Sequence, residues 1–486
     1  MTTDAQLRIT EGLFKHLKDL VFARYPRKEW GTFLVFGFRQ TKDLLVLTAT
    51  DLIEPGEDGL NKTVPNVQFN SQYSVRAALE IERGPLCVGV VHSHPRGYLP
   101  HPSLIDDDMD DYYTEYFASF TKLPGYCSLI FALDKAGRFV FSGRGRINGT
   151  AFQLKNIIVV GNDSIDLWGT TSPSPQRRSA KVTQRLEQVY GKEARDRLSD
   201  ASVTIVGCGG TGSVVAHILA RAGVGKFILV DHDRFEDSNL ERLHGSTAAH
   251  VGLVPKPYKV AIVQDLIRSI NPKAKIIPIV GNILQSLPRD YAVASNLLFC
   301  CTDTAHSRVG VSELAYRYLL PVIDIGVQLE GKEGKVIAEA GQVAIYSPSL
   351  PCAYCRHLID SWQLAVELMS DDEKEARKRE AQAAAARGDD AGNYWRNVPE
   401  IHTVGHLTTL AAALAATYGI GWLTGKFRAP ANYFQFNLLE DNLGYVPVEV
   451  DKQGHCPCAT RVGYADQGAA YTTVTAASHW PPARIV

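Results

Sequence analysis

A run of apolar residues from Leu86 to Val91 leads straight into His92-Ser93-His94, and Asp106 follows twelve residues after the second histidine. On an extended strand, residues i and i+2 share a face, so both imidazoles can reach one ion and Asp106 can supply a third ligand. Three protein ligands and a water make an open catalytic zinc site. Such a site lowers the water's pKa towards about 7 and generates a nucleophile. Glu29, at the start of the run TFLVFG, is the candidate base for that water's proton, and Ser103 is a candidate donor to the oxyanion of a tetrahedral intermediate. Asp107 and Asp108 are adjacent alternatives to Asp106, and His101 reads as a loop histidine.

A second constellation lies downstream. Gly207-Cys208-Gly209-Gly210-Thr211-Gly212 follows the apolar run VTIV and opens a helical stretch, and Asp231 ends the next apolar run. Glycines at such a turn let backbone amides approach a phosphate at a helix N-terminus. A carboxylate at the position of Asp231 can bond a ribose hydroxyl. Asp233, Asn239, Arg242, Lys259 and Asp303 come next in order. Hydride transfer needs no additional Arg, Lys and Asp around a phosphate. Cleavage of ATP at its α-phosphate does, because cations neutralise the transferring group and an Asp can hold Mg²⁺. Finally, Cys352 and Cys355 form a C-x-x-C pair and Cys456 and Cys458 a C-x-C pair. Four thiolates suit a closed structural Zn²⁺ site, with free thiols or a redox pair as the alternative.

The elements that must position these groups are legible from periodicity. TFLVFGF, DLLVLTATDLI, LCVGVVHSH, YCSLIFAL and RFVFSGR read as strands, and GLFKHLKDLVFARY and DDYYTEYFASF as helices. They define a small α+β unit. The Ser/Thr/Pro-rich stretch 170–179 has linker composition. From about residue 180, apolar strands alternate with helical stretches, as in a Rossmann-like doubly wound parallel sheet of the α/β class. The expected division is 1–150, a linker over 151–180, and 181–486. The stretch 373–387 reads as an exposed charged helix. The stretch 404–425 lacks Asp, Glu, Lys and Arg but contains His, Thr and Gly, and reads as a buried core helix instead of a membrane span.

Composition bounds the rest. The 486 residues carry a net charge of −1, with 45% hydrophobic and 21% charged residues. These values are ordinary for a globular protein and give no electrostatic case for nucleic acid. The start lacks the basic and apolar regions of a signal peptide. Nine cysteines in so long a chain do not suggest a disulfide scaffold. The expectation is a cytoplasmic protein with no nucleic-acid or membrane partner.

The motifs GCGGTGS, LVDHDRFEDSNLERL, KPYKVAIVQDLIRSINP and CCTDTAHSR resemble the adenylation domain shared by ubiquitin-activating enzymes and the ThiF/MoeB sulfur-carrier activators. The resemblance runs from about Arg185 to Gly326 and more loosely to Cys458. It implies ATP and Mg²⁺ as cofactors and the C-terminal glycine of a ubiquitin-like protein as acceptor. It further implies that Asp231 binds ribose, that Asn239, Arg242 and Lys259 handle phosphates, and that Asp303 positions Mg²⁺. Arg185 would reach the ATP of a partner subunit in a homodimer. The cysteine pairs stand where many members hold Zn²⁺. Residues 356–455 contain no cysteine, so a thioester on this chain is not expected, and the activated tail would pass directly to a partner's nucleophile or to sulfur.

Glu29, His92-Ser93-His94-Pro95 and Ser103 with Asp106 resemble the JAMM (JAB/MPN) metalloprotease family, with one extra residue in the loop before Ser103. That implies zinc-dependent cleavage of ubiquitin-like proteins from conjugates, or trimming of their C-termini. Together the halves imply a bacterial ubiquitin-like conjugation system, with antiviral defence as one setting and a conjugating-enzyme-like protein as a further partner. The alternatives are activation of a sulfur carrier for biosynthesis, or a scaffold whose peptidase half only binds.

Overall fold

A computed structural model describes residues 2–24, 28–57, 59–61, 66–82, 84–95, 97–121, 123, 125–169, 183–398, 403–439, 446–468 and 480–486. The first unit runs β1 (Thr3–Thr10), α1 (Glu11–Val21), β2 (Gly31–Gln40), β3 (Leu45–Ile53), α2 (Ser71–Glu82), β4 (Cys87–Ser93), α3 (Leu104–Ala118), β5 (Gly125–Leu133), β6 (Phe139–Ile147), β7 (Thr150–Val160) and β8 (Ile165–Gly169). Its strands form one sheet in the order β1-β3-β2-β4-β5-β6-β7-β8, and β1 also pairs with β7, so the sheet closes into a barrel-like ring. Helix α1 covers one face through Phe14, Leu17 and Val21. Helices α2 and α3 cover the other through Tyr73, Ala77, Tyr113 and Phe117. With both faces covered, every residue of β4 is buried, which is why that strand reads as a continuous apolar run instead of an alternating one.

The expected boundary at residue 150 is corrected by β7 and β8. β7 pairs with β1 from Phe152 to Val160, and β8 extends the same sheet to Gly169. The first unit therefore includes most of the stretch assigned to a linker. The Ser/Thr/Pro-rich stretch 170–179 lies outside the described residues.

The second unit runs α4 (Gln184–Asp200), β9 (Ser202–Val206), α5 (Gly210–Ala222), β10 (Lys226–Val230), α6 (Lys259–Ile270), β11 (Lys275–Val280), α7 (Ser286–Val293), β12 (Leu297–Cys300), α8 (Ala305–Arg317), β13 (Val322–Lys332) and β14 (Lys335–Tyr346). It continues with α9 (Ser361–Leu368), α10 (Asp371–Arg387), α11 (Gly405–Thr424), β15 (Tyr433–Asn437), β16 (Val446–Pro447), α12 (Pro457–Thr460) and β17 (Arg484–Ile485). The sheet order is β16-β15-β14-β13-β12-β9-β10-β11-β17. The five central strands are parallel, as expected, and antiparallel strands extend the sheet on both sides. The parallel order reverses between β9 and β12. Open α/β sheets bind ligands beyond the carboxyl ends of the strands at such a switch point.

Helix α11 is long and apolar enough to cross a membrane by length and composition. Leu407, Ala411, Ala412, Ala415 and Trp422 from it are buried in the main core beside Val215, Leu219 and Phe299. Helix α10 is the charged helix expected there, opened by a Ser370–Glu373 capping box.

The two units share a continuous interior. Ile158, Val160 and Ile165 belong to the core of the second unit. The fully buried Arg8 of β1 donates to the carbonyls of Val293 (2.9 Å), Ser295 and Leu319 (3.2 Å). Burial lowers its pKa to about 9, which leaves the guanidinium charged at neutral pH. Arg39 of β2 bridges Asp290 at 2.6 Å and Asp466 at 2.9 Å.

Candidate functional site

The glycine loop leaves β9 at the switch point. Gly207 has φ +90°, and a Cβ there would lie 2.5 Å from the Cys301 carbonyl oxygen. Gly212 sits behind the loop, where a Cβ would meet the Gly207 carbonyl oxygen at 1.9 Å. Both positions therefore require glycine, one for its backbone angle and both for close approach. The cavity in front of the loop has a volume of about 1120 Å³. Gly207, Gly209, Gly210, Asp231, Asp233, Asn239, Arg242, Lys259 and Asp303 all line it. Arg185 is exposed on the first turn of α4 and is not among the cavity's lining residues.

Charges in this cavity are interlocked. Asp231, at the end of β10, is buried and accepts the amides of Cys208 at 2.7 Å and Asp233 at 2.8 Å. Burial and the nearby Asp233 raise its pKa against the pull of Lys259. Lys259 donates to Asp233 at 2.7 Å. Burial works against the Lys259 ammonium, but Asp231 and Asp233 outweigh it and raise its pKa. Asn239 is buried and holds its turn by accepting the Glu236 amide at 3.1 Å. Arg242 donates to the Ser238 carbonyl at 3.1 Å. Asp303 is exposed in the cavity and offers a hard oxygen donor of the kind Mg²⁺ prefers beside phosphates.

Sequence reasoning passed over much of the cavity wall. Asn282, Gln328, Gln342, Trp362, Gln363 and Arg396 also line it. They arrive from β13, β14 and α9 or from loops; five of the six are uncharged, none lies in a glycine-rich motif, and Arg396 stands alone in a loop. Arg308, within the quoted CCTDTAHSR stretch, also lines the cavity and pairs with the buried Asp324 at 2.8 Å.

In the first unit, β4 ends at the histidines. Tyr113 and Phe117 of α3 pack edge-on against Phe33 with ring centroids 5.4 and 5.5 Å apart, which fixes the helix whose first turn carries Asp106. His92, His94 and Asp106 are all buried, and their ligand atoms lie within 4.8 Å of one another. Nε2 of His92 is 3.0 Å from one Asp106 oxygen and Nε2 of His94 is 3.5 Å from the other. Tetrahedral zinc with N and O ligands spaces its donors by roughly 3.4 Å. Despite that close approach Nε2 of His92 makes no well-directed hydrogen bond among the described residues, and its Nδ1 has no partner among them either, although the ring is fully buried. An orphaned buried imidazole of this kind fits a metal ligand. Burial works against the Asp106 carboxylate, but the two imidazoles hold its pKa well below the usual range. Of its neighbours, Asp107 pairs with Arg144 at 2.6 Å and Asp108 is exposed.

Glu29 lies two residues before Gly31, which pairs with His92. Continuing that antiparallel register carries Glu29 towards His94; burial works against the His94 imidazolium, but the contact with Asp106, helped by the charge of Glu29, raises its pKa. Its Oε2 also accepts the Val67 amide at 3.1 Å. Ser103 differs from expectation. It is the N-cap of α3, and its hydroxyl and amide both donate to Asp106, at 2.8 and 2.6 Å. Its proton is therefore committed to orienting Asp106, and oxyanion donation would first require release of that bond.

The four cysteines at 352, 355, 456 and 458 converge although a hundred residues separate the pairs. Their sulfurs are 3.8 Å apart (Cys352–Cys355), 3.6 Å apart (Cys352–Cys456) and 3.7 Å apart (Cys355–Cys458). Zn–S bonds of about 2.3 Å in a tetrahedron place sulfurs roughly 3.8 Å apart, so the cluster fits zinc without rearrangement. All nine cysteines are buried and none is in a disulfide. Burial raises the pKa of Cys87, Cys127, Cys208, Cys300 and Cys301.

A glycine loop at the switch point of a parallel sheet, with cations and carboxylates around it, defines a nucleotide-binding α/β protein. The ThiF family matches residues 182–458, more than half of the chain, and the chain belongs to that family. It is 32% identical over 165 residues to a molybdopterin-synthase adenylyltransferase from Salmonella typhimurium, covering 34% of this chain and 61% of that one. It is 28% identical over 196 residues to ubiquitin-like modifier-activating enzyme 5 of Drosophila persimilis, covering 38% of this chain and 48% of that one. The matches thus span about half to three fifths of these relatives' length. A crystal structure of E. coli MccB with MccA-N7isoASN aligns over 58% of this chain and 76% of that one, with 19% identity and a TM-score of 0.43.

Proposed function

We propose that the chain adenylates the C-terminal glycine of a ubiquitin-like or sulfur-carrier protein. The observation that carries this reading is the gathering of Asp231, Asn239, Arg242, Lys259 and Asp303 around one cavity beneath the glycine loop. Asp231 receives the ribose hydroxyls. The loop amides, Asn239, Arg242 and Lys259 bind and neutralise the phosphates. Asp303 would hold Mg²⁺, which supplies further neutralisation of phosphate charge. The terminal carboxylate of the partner attacks the α-phosphorus, the bond from that phosphorus to the bridging oxygen breaks, and pyrophosphate leaves. Arg185 is assigned to the nucleotide of a second subunit in a homodimer. With every cysteine buried, the acyl-adenylate passes to a nucleophile outside this chain, such as that of a conjugating-enzyme-like protein or a sulfur donor. The cysteine cluster is assigned to a structural zinc.

The first unit is proposed to be a JAMM-type peptidase that matures the same protein or removes it from targets. His92, His94 and Asp106 would hold zinc, which polarises a water and the scissile carbonyl. Glu29 takes the water's proton and returns it to the leaving amine, while Ser103 fixes Asp106. The orphaned nitrogens of His92 favour this over a scaffold with an inactive peptidase half. The setting is a bacterial ubiquitin-like conjugation system in the cytoplasm, with antiviral defence as one role.

Pyrophosphate exchange into ATP, assayed with candidate ubiquitin-like proteins, tests the adenylation claim. Exchange that requires an intact terminal glycine and disappears in Asp303→Ala supports it. Absence of exchange with every partner encoded nearby sinks it.

A further inference from the structure

We propose that Glu367 is a positioning residue that keeps Asp303 directed into the nucleotide cavity, a reading that rests on the adenylation function above. Helix α8 begins at Ala305, and its N-cap, Thr304, makes no side-chain capping bond. The first amides of a helix need acceptors and attract negative charge. Here the acceptor comes from another helix. Glu367 of α9 takes the Ala305 amide at 3.0 Å on one oxygen and the His306 amide at 2.9 Å on the other. The second oxygen also contacts His306 Nδ1 at 2.8 Å. Gln363, one turn earlier on α9, donates to Glu367 at 2.7 Å and to the Asp303 carbonyl at 3.2 Å.

This arrangement settles a competition. Aspartate just ahead of a helix is itself a strong capping residue. Without Glu367, the Asp303 carboxylate could turn back onto the free amides of α8 and leave the cavity. With those amides filled, Asp303 stays exposed to the site. Helix α9 has no fully buried residue, so polar contacts such as these do much to hold it in place. The same helix contributes Trp362 and Gln363 to the cavity wall. His306 carries the connection further, meeting Asn282 of the cavity at 2.7 Å. The Asp303 turn and the wall formed by α9 are therefore tied at one carboxylate.

The test uses the full-length chain with Glu367→Ala and Glu367→Gln, alongside Asp303→Ala and the exposed-surface control Glu375→Ala. Binding of a non-hydrolysable ATP analogue is measured calorimetrically with Mg²⁺ and in chelator, after thermal melts verify folding. Glu367→Ala is expected to lose most of the Mg²⁺-dependent gain in affinity, as Asp303→Ala does, while its metal-free affinity stays at the wild-type value. Glu367→Gln, which keeps a carbonyl acceptor, recovers part of the gain, and Glu375→Ala matches wild type. In pyrophosphate exchange, kcat of Glu367→Ala falls about 100-fold, the scale of a small misplacement at a reacting centre, with a much smaller change in KM for ATP. Wild-type Mg²⁺ dependence in Glu367→Ala, or equal losses with and without Mg²⁺, would overturn the proposal. A wild-type chain whose analogue binding gains nothing from Mg²⁺ would overturn the adenylation reading and this proposal with it.

Discussion

Removing one thiolate from the cysteine cluster should cost the second unit a measurable part of its stability. The cluster joins the segment after β14 to the N-cap and first turn of α12. A zinc ion there would close a loop of roughly 100 residues, and closing a loop of that length would restrict the unfolded chain by up to about 4.7 kcal/mol. That loop contains α9, α10, α11 and β15, so it also carries part of the cavity wall. For a unit of this size, about 4 kcal/mol corresponds to a fall in Tm of about 10 °C. The perturbation is Cys458→Ala, with Cys87→Ala as a buried cysteine outside the cluster. The assay is zinc content by mass spectrometry together with calorimetric melting. The wild-type chain should carry two zinc ions, Cys458→Ala one fewer, with the lower melting transition. An unchanged zinc count and Tm in Cys458→Ala would refute the assignment of a structural zinc.

Lys259→Ala should reduce pyrophosphate exchange by about 100- to 1000-fold, the usual cost of one donor aimed at developing charge, measured with the same partner protein. Asp106→Ala should remove the second zinc ion and peptide-bond cleavage of a ubiquitin-like fusion while leaving exchange intact, as read by metal analysis and gel assay. Arg8→Met strips three carbonyls of their donor at the junction of the two units, and urea titration should show a loss of about 2–4 kcal/mol. Burial works against the Glu367 carboxylate, but His306 outweighs it and lowers the pKa below 4.5. Its stabilising contribution is therefore present above pH 4.5 and lost as pH falls through the lowered value, so melts of Glu367→Ala should show a shallower acid limb.

Legibility of the sequence followed how local each signal was. The glycine loop, Asp231 and the His92/His94 pair were readable because each depends on a strand end and a fixed short spacing. The strands carrying them were readable for the same reason, as buried β4 shows. Much of what escaped was built by distant contacts. β7 and β8 have alternating or short patterns, and β7 joins the first sheet by pairing with β6 and with the distant β1, while β8 pairs with β7. Ser103 was read for its hydroxyl near a metal, whereas its place three residues before Asp106 also makes it a helix cap. Glu367 lies 61 residues from His306, with nothing in its neighbourhood to mark it. The junction at Arg8 was equally invisible, since it pairs a strand residue with the carbonyls of Val293, at the end of α7, and Ser295, nearly 300 positions away.

The position at which ATP is cut tests the central claim most directly. With the partner protein and Mg²⁺, ATP labelled at the α-phosphate should yield labelled AMP or acyl-adenylate, and ATP labelled at the γ-phosphate should yield labelled pyrophosphate. Release of ADP and inorganic phosphate instead would contradict the account.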